Sequence, residues 1–399
     1  MFKKITAAFM AVVMACSFAC VEASAKYSVP SRRKPQAAQS DTSTSAVSSD
    51  VMQFVKDMGI GINLGNTFES CGDWIAQWGD GTVESYETAW GSPVITEKMI
   101  KGYADAGFKT LRVPVAWSNM MGDNYTVSTK YIAEVKKVVD WALKYDMYVI
   151  INLHYDNGWL EKFPTETDEC MRRYKRIWEQ VSKAFGDYDG RLIFEGQNEE
   201  LGWSSVWNQY AGTKGKKESY DLVNKINQTF VDVVRASGGK NDTRYLLIPG
   251  YNTGIEPTAD KLYKVPEDKA NHVIISVHYY EPSTFAILTE DASWGKNQRT
   301  WGTSSDIKAL EKKMDIMKTT FADKGIPVII GEYGCPTENK DMASVRKYLS
   351  EVCMAAYVRG MCPIVWSTPG HLYDRESCKM TDSQIAENYK EIVKMPRNG

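Results

Sequence analysis

Between residues 58 and 367 the chain alternates short apolar runs with helix-period segments, and this alternation restricts its possible folds more than any other feature. The apolar runs are 59–66, 110–115, 148–155, 191–198, 244–250, 272–280, 327–334 and 362–367. They are rich in Val, Ile and Leu without polar alternation, the pattern of parallel strands buried on both faces. Helix-period stretches lie between them at 96–106, 130–145, 168–185, 219–236, 305–324 and 343–359. Gly107, Gly186, Gly238, Gly325 and Gly360 stand where those helices should stop. Only 256–263, after the fifth run, is a poor helix. Eight such units predict an α/β protein, a (β/α)8 barrel in one domain rather than an open sheet. Loops after the strands are the longer ones, notably 67–93 and 281–304, which places the working face at the strand C-termini.

The ends of the chain read differently. Residues 1–25 have the form of an export signal, with Lys3 and Lys4, an apolar core over 5–19, and Ala23-Ser-Ala25 as a small-residue cleavage site. That core is too short to span a membrane as a helix. Cys20 opens an alternative, lipoprotein processing and a lipid anchor at the cell surface, although Ser17-Phe-Ala-Cys20 lacks the usual aliphatic residue three places earlier. Residues 26–50, rich in Ser, Thr, Ala, Pro and basic residues without periodicity, read as a flexible tether. The barrel is therefore expected over 51–399. After the last strand there is room for one closing helix and for no separate carbohydrate-binding module.

A net charge of −2 leaves no footprint for nucleic acid or anionic lipid. Export makes disulfides possible among Cys71, Cys170, Cys335, Cys353, Cys362 and Cys378, with pairing not readable from spacing. None of these is spaced as a zinc site, and the four His include no His-x-x-x-His pair. Neither metal nor cofactor is expected. The expected partner is a polysaccharide, bound by a monomer.

The residues at the strand ends are not those a core would choose. Arg112 lies in the second run, Asn152, His154, Tyr155 and Asp156 end the third, and Asn198-Glu199 ends the fourth. His278 and Tyr280 end the sixth, Glu332 the seventh and Trp366 the eighth. Singly, Arg112 fits a structural ion pair, either His a satisfied core residue, and either Glu a loop contact. A carboxylate at the end of a buried strand is nevertheless costly without partners or a task. Two of them converging on one barrel mouth favour paired acid/base chemistry on a glycosidic bond.

Gly61-Ile-Asn63-Leu-Gly-Asn66, Leu111-Arg-Val-Pro114, Asn152-Leu-His154, Asn198-Glu199, His278-Tyr-Tyr280, Gly331-Glu332 and Val365-Trp366 occur in that order. Together they resemble glycoside hydrolase family 5, the retaining cellulase family. Glu87-Thr-Ala-Trp90-Gly91 with Pro93 resembles its endoglucanase, lichenase and xyloglucanase branch. The resemblance implies that Glu199 is the general acid/base and Glu332 the nucleophile. It further implies that Asn198 bonds the sugar 2-hydroxyl, that His154 and His278 bond sugar and orient the glutamates, and that Trp366 is the aromatic platform at the cleavage site. Arg112, Tyr280, Asn63 and Trp90 are the remaining supporting or substrate-binding candidates. The charge of Glu332 is expected to keep Glu199 protonated, while Arg112 and Tyr280 keep Glu332 ionised.

Two departures stand out. A frequent His pair is here His154-Tyr155, and the usual Asn-Glu-Pro is Asn198-Glu199-Glu200, whose extra carboxylate either raises the neighbouring pKa or points into solvent. Trp74, Trp78, Trp90, Trp159, Trp203, Trp207, Trp294 and Trp301 fall in or beside loops of the working face, some to stack on sugar rings and the rest to pack loops. The resulting expectation is a secreted endo-β-1,4-glucanase. A β-mannanase is the rival on the same fold, and a glycan-capture protein without turnover is the rival of another class.

Overall fold

The structure, a computed structural model, describes residues 27–29, 46–199, 201 and 205–397. The export-like leader with Cys20, most of the tether, Glu200 and Trp203 lie outside the described residues.

Eight parallel strands close into a barrel in chain order: β1 (Gly61–Asn63), β2 (Thr110–Val113), β3 (Tyr148–Asn152), β4 (Leu192–Glu195), β5 (Leu246–Pro249), β6 (Val273–Tyr279), β7 (Val328–Tyr333) and β8 (Cys362–Val365). The ring shuts where Gly61 and Ile62 of β1 pair with Ile364 and Val365 of β8. Each strand falls inside its expected run and stops short of it, because the polar residues beyond leave the ladder to build the mouth. Helices follow at Glu97–Asp105, Thr129–Lys144, Thr167–Ala184, Lys216–Ala236, Ile255–Thr258, Ser304–Thr320, Met342–Tyr357 and Ser383–Ile392. The poor helix after the fifth strand is the single turn Ile255–Thr258. Side chains of Thr96, Ser128, Thr303, Asp341 and Asp382 accept from first-turn N–H groups, so five of the long helices begin on a sequence-encoded cap.

The strands carry two files of side chains. One file (Leu111, Val113, Val149, Ile151, Leu192, Phe194, Leu246, Ile248, Ile275 and Val277) packs under the helices. The other points into the barrel. At its lower end stand Ile150, Ile193, Leu247, Ile274, Ile329 and Ile364, closed from below by Val51, Val55 and Met58. Val51 and Val55 belong to α1 (Ala46–Asp57), a plug across the N-terminal end of the barrel. The helix starts inside the segment read as tether, so residues 46–50 are part of the folded body. Tyr27 is docked too: its hydroxyl bonds Glu351 and its carbonyl accepts from Asn388 Nδ2 at 3.4 Å.

Two residues farther along, the inward file turns polar on three strands, where Ile150 gives way to Asn152, Ile193 to Glu195 and Ile274 to Ser276, and on β2 Thr110 is followed by Arg112. The apolar floor therefore supports a polar upper layer. No disulfide joins the described cysteines. Burial pushes the thiols of Cys353 and Cys362 up to about 12. Among the described residues no helix is long and apolar enough to cross a membrane.

Candidate active site

Arg112 of β2 organises the upper layer. Its guanidinium is fully buried and donates from Nε to Glu195 Oε2 at 2.6 Å, from Nη1 to Asn63 Oδ1 at 2.9 Å and Glu332 Oε1 at 2.7 Å, and from Nη2 to Asn198 Oδ1 at 2.9 Å. Burial alone would weaken its hold on the proton. Glu195 and Glu332 more than offset that and raise its pKa above the ordinary value. Asn63 is itself fully buried, and its amide nitrogen donates to Gly331 O at 3.0 Å and Val365 O at 3.3 Å, tying β1 to β7 and β8. Asn63 therefore supports Arg112 from below.

Glu332, on β7, is 6% exposed and also accepts from the Tyr280 hydroxyl, at 3.0 Å. A Cβ on Gly331 would lie 2.6 Å from Ser276 Oγ and 3.2 Å from His278 Nε2, so only glycine lets β6 and β7 come this close. That approach places His278 Nδ1 2.6 Å from Glu199 Oε1 and 3.7 Å from Glu332 Oε2. Thr253, just past β5, adds a hydroxyl 3.2 Å from Glu199 Oε1. One carboxylate oxygen of Glu199, one of Glu332 and a ring nitrogen of His278 all lie within 4.8 Å of one another.

The protonation expected for Glu199 is corrected by this arrangement. Burial would raise its carboxyl, but the His278 hydrogen bond and charge, with smaller help from Thr253 and Arg112, leave it below the usual carboxylate range. For His278, burial is overcome by Glu332 and Glu199, and its pKa is raised. The two shifts run the same way, toward a charged imidazole beside a charged carboxylate. Both glutamates favour the charged form of this imidazole, which lies between them.

His154 reaches neither glutamate. Its Nδ1 lies 3.2 Å from Asn152 Nδ2, and its ring stacks on Trp366 with centroids 6.0 Å apart and planes within 13°. Burial, with the charges of Arg112 and His278, keeps this imidazole neutral. Trp90 is half-buried on the loop after β1, its carbonyl accepting from Asn66 Nδ2 at 3.3 Å. Asp156 is a loop organiser that accepts from Ser118 N at 2.8 Å and Trp159 Nε1 at 2.7 Å. Of the loop tryptophans, Trp159 and Trp301 are packed away at 6% and 5% exposure, whereas Trp74, Trp78 and Trp294 face water.

Glu199, His278 and Glu332 are the one described cluster able to offer three donors to an ion. The permanent cation of Arg112 lies 2.7 Å from Glu332, and Coulomb repulsion opposes a divalent metal there. The donor set suits a pair of carboxylates working across a short gap.

Sequence reasoning missed Glu195 and Thr253. Glu195 follows Ile193 by two in the inward file, so strand alternation marks it. Thr253 sits in the turn Gly250-Tyr-Asn-Thr-Gly254 with φ 48°, a conformation costly for a β-branched residue, and no sequence signal reveals it.

The family model of cellulase, glycosyl hydrolase family 5, matches residues 73–371. Among curated proteins, the chain is 38% identical over 315 residues to endoglucanase A of Clostridium longisporum, covering 79% of this chain and 58% of that protein. It is 33% identical over 347 residues to a xyloglucan-specific endo-β-1,4-glucanase of Bacteroides ovatus, covering 81% and 66%. The chain thus spans less than two thirds of these two relatives. Among solved structures, a family 5 lichenase from a Caldicellulosiruptor species superposes with TM-score 0.80 at 33% identity, over 90% of this chain and 99% of that one. A broad-specificity endoglucanase from an uncultured bovine rumen ciliate gives 0.78 at 35% identity, over 86% and 98%. A variant of the lichenase has been solved with cellotetraose.

Proposed function

The chain belongs to glycosyl hydrolase family 5, and from that premise we propose that it is an exported, retaining endo-β-1,4-glucanase. The observation that carries this reading is the gap between the carboxylates: oxygens of Glu199 and Glu332 come within 4.8 Å of each other. Inverting enzymes need about 6.5–9.5 Å to admit a water, whereas retaining ones need about 5–5.5 Å.

In the first half-reaction Glu332 attacks the anomeric carbon. Glu199 gives its proton to the departing glycosidic oxygen, and a covalent glycosyl-enzyme forms as the chain end leaves. In the second, Glu199 takes a proton from water, the hydroxide displaces Glu332, and the two inversions restore the configuration. The short bond from His278 supplies the proton that Glu199 needs once substrate enters. Asn198, oriented through its Oδ1 by Arg112, donates its amide to the sugar 2-hydroxyl. The stacked His154 and Trp366 form the floor of the cleavage site. Arg112 and Tyr280 hold the nucleophile in line and take up the charge that returns to it.

The relatives support a glucan as substrate, and xyloglucan, lichenan and carboxymethyl cellulose are the polymers to try. A β-mannanase is the alternative on the same framework. Glycan capture without turnover is disfavoured by the presence of both glutamates and of Arg112 and His278. The protein acts as a monomer outside the cell, with an anchor through Cys20 as the variant reading.

The test is reducing-sugar release by residues 26–399 on carboxymethyl cellulose, lichenan, xyloglucan and mannan, with Glu332→Ala as blank. Release from a glucan and silence from the variant are expected. Activity on mannan alone overturns the substrate, and activity of Glu332→Ala within tenfold of wild type overturns the nucleophile. Glu199→Ala should slow polymer cleavage far more than cleavage of aryl glycosides with good leaving groups, and equal losses would contradict its role.

A further inference from the structure

Large aromatic side chains are rarely this open to water: Trp78 is 83% exposed, Tyr210 82%, Trp294 59% and Trp74 47%. All four lie on loops that leave C-terminal strand ends: Trp74 and Trp78 after β1, Tyr210 after β4, Trp294 after β6. No other described aromatic is as open to water. In a closed ring of eight, β1 faces β5, and β4 and β6 flank β5. The exposed rings therefore occupy two opposite rims of the barrel mouth.

The β1 rim is the more elaborately built. Trp74 and Trp78 sit four residues apart on α2 (Asp73–Trp78) and share one face, separated by ~6 Å along the axis. A helix this short has no stability of its own. It is held by Ile75, which is 2% exposed, by the bond from Gly79 N to Ile75 O at 2.8 Å, and by Asp80, whose carboxylate accepts from Thr82 N at 3.0 Å and from the Ser85 hydroxyl. Gly72 has φ 145°, and a Cβ there would lie 2.5 Å from Trp74 Nε1, so the indole edge rests directly on the backbone. The loop holds the Trp74 indole against Gly72 and leaves both rings open to water.

We infer that Trp74 and Trp78 form an outer glucan-binding platform, on which a β-glucan chain leaving the cleft over the β1 rim stacks its sugar rings. This rests on the glucanase reading above. Asp73, Gln77 and Asp80 around the rings are exposed, with Ala76 as the only other apolar exposed residue of the helix. Isolated rings bordered by hydrogen-bonding groups suit a sugar chain, which offers apolar ring faces and equatorial hydroxyls. A protein partner would ask for a continuous apolar patch.

The test is affinity electrophoresis in gels containing lichenan or xyloglucan, with Trp74→Ala/Trp78→Ala placed in a Glu332→Ala background so that the gel is not digested. The double variant should bind at least fivefold more weakly than its parent. In the active background it should raise KM on polymer and leave kcat/KM on a short aryl β-cellobioside within twofold. Thermal denaturation of both proteins checks that the fold survives. Equal retardation of variant and parent overturns the platform, as does a Glu332→Ala parent that is not retarded although the protein with Glu332 intact hydrolyses glucan in solution. A concentration-dependent shift in gel filtration that Trp78→Ala abolishes overturns it in favour of a second copy of this chain. Absence of both hydrolysis and retardation would instead remove the glucanase reading on which the platform rests.

Discussion

Arg112 and Arg244 are both buried side chains associated with barrel strands, and they show two different uses of a buried cation. Arg244, just before β5, is 1% exposed. It donates to Asn241 Oδ1 at 2.6 Å and to the carbonyls of Leu192 at 2.7 Å, Tyr188 at 2.8 Å, Asp189 at 3.1 Å and Phe185 at 3.1 Å. Its direct partners are neutral, and burial lowers its pKa to about 10. Arg112 is equally buried but faces two carboxylates, and its pKa is raised instead. Neutral dipoles make Arg244 a clamp on the loop that leads into β4. Carboxylates make Arg112 a device that positions and charges the groups around Glu332.

The sharpest way to break the contrast is to exchange each arginine for lysine. Arg112→Lys keeps the charge and loses the planar fork that reaches four partners, so kcat/KM on glucan should fall by about 10³-fold or more. Arg244→Lys should stay within about twofold. Comparable losses from both would erase the distinction.

Arg244→Met carries the next largest effect, and it concerns stability. It strands a set of buried carbonyls, which should cost about 3 kcal/mol in chemical denaturation while the folded fraction keeps its kcat. Glu195→Gln sharpens the comparison from the other side. It makes one partner of Arg112 neutral at almost unchanged shape, and kcat should drop by about 10–100-fold with a smaller change in melting temperature.

The smallest effect is a pH signature of the His278–Glu199 pair. The raised His278 pKa gives stability that is complete below 6.5 and lost as pH rises through the folded value. The lowered Glu199 pKa gives stability that is complete above 4.5 and lost as pH falls through its folded value. The melting-temperature gap between wild type and His278→Gln should therefore be widest between pH 4.5 and 6.5 and narrow on either side. A gap independent of pH would mean that the two residues do not share a charge in the folded protein.

The strands and helices were legible because each answers to a local rule: buried runs of Val and Ile, 3.6-residue periodicity, and polar caps such as Thr303 and Asp341. The mouth residues were legible because Arg112, His278 and Glu332 are out of place in apolar runs. Glu195 was missed for the opposite reason. The run was read as lacking alternation, and both faces are indeed buried, but only one of them is apolar throughout. Thr253 and Arg244 were hidden because their importance comes from partners distant in sequence. Residues 46–50 were read as tether because a polar start masks a helix whose apolar face, Val51 and Val55, comes later.

The buried thiols carry a practical consequence. With no cross-link among the described cysteines, and with burial pushing the Cys353 and Cys362 thiols up to about 12, the described barrel should tolerate a reducing environment as well as an oxidising one. Dithiothreitol should leave melting temperature and activity unchanged, and alkylating reagents should modify the half-buried Cys378 first.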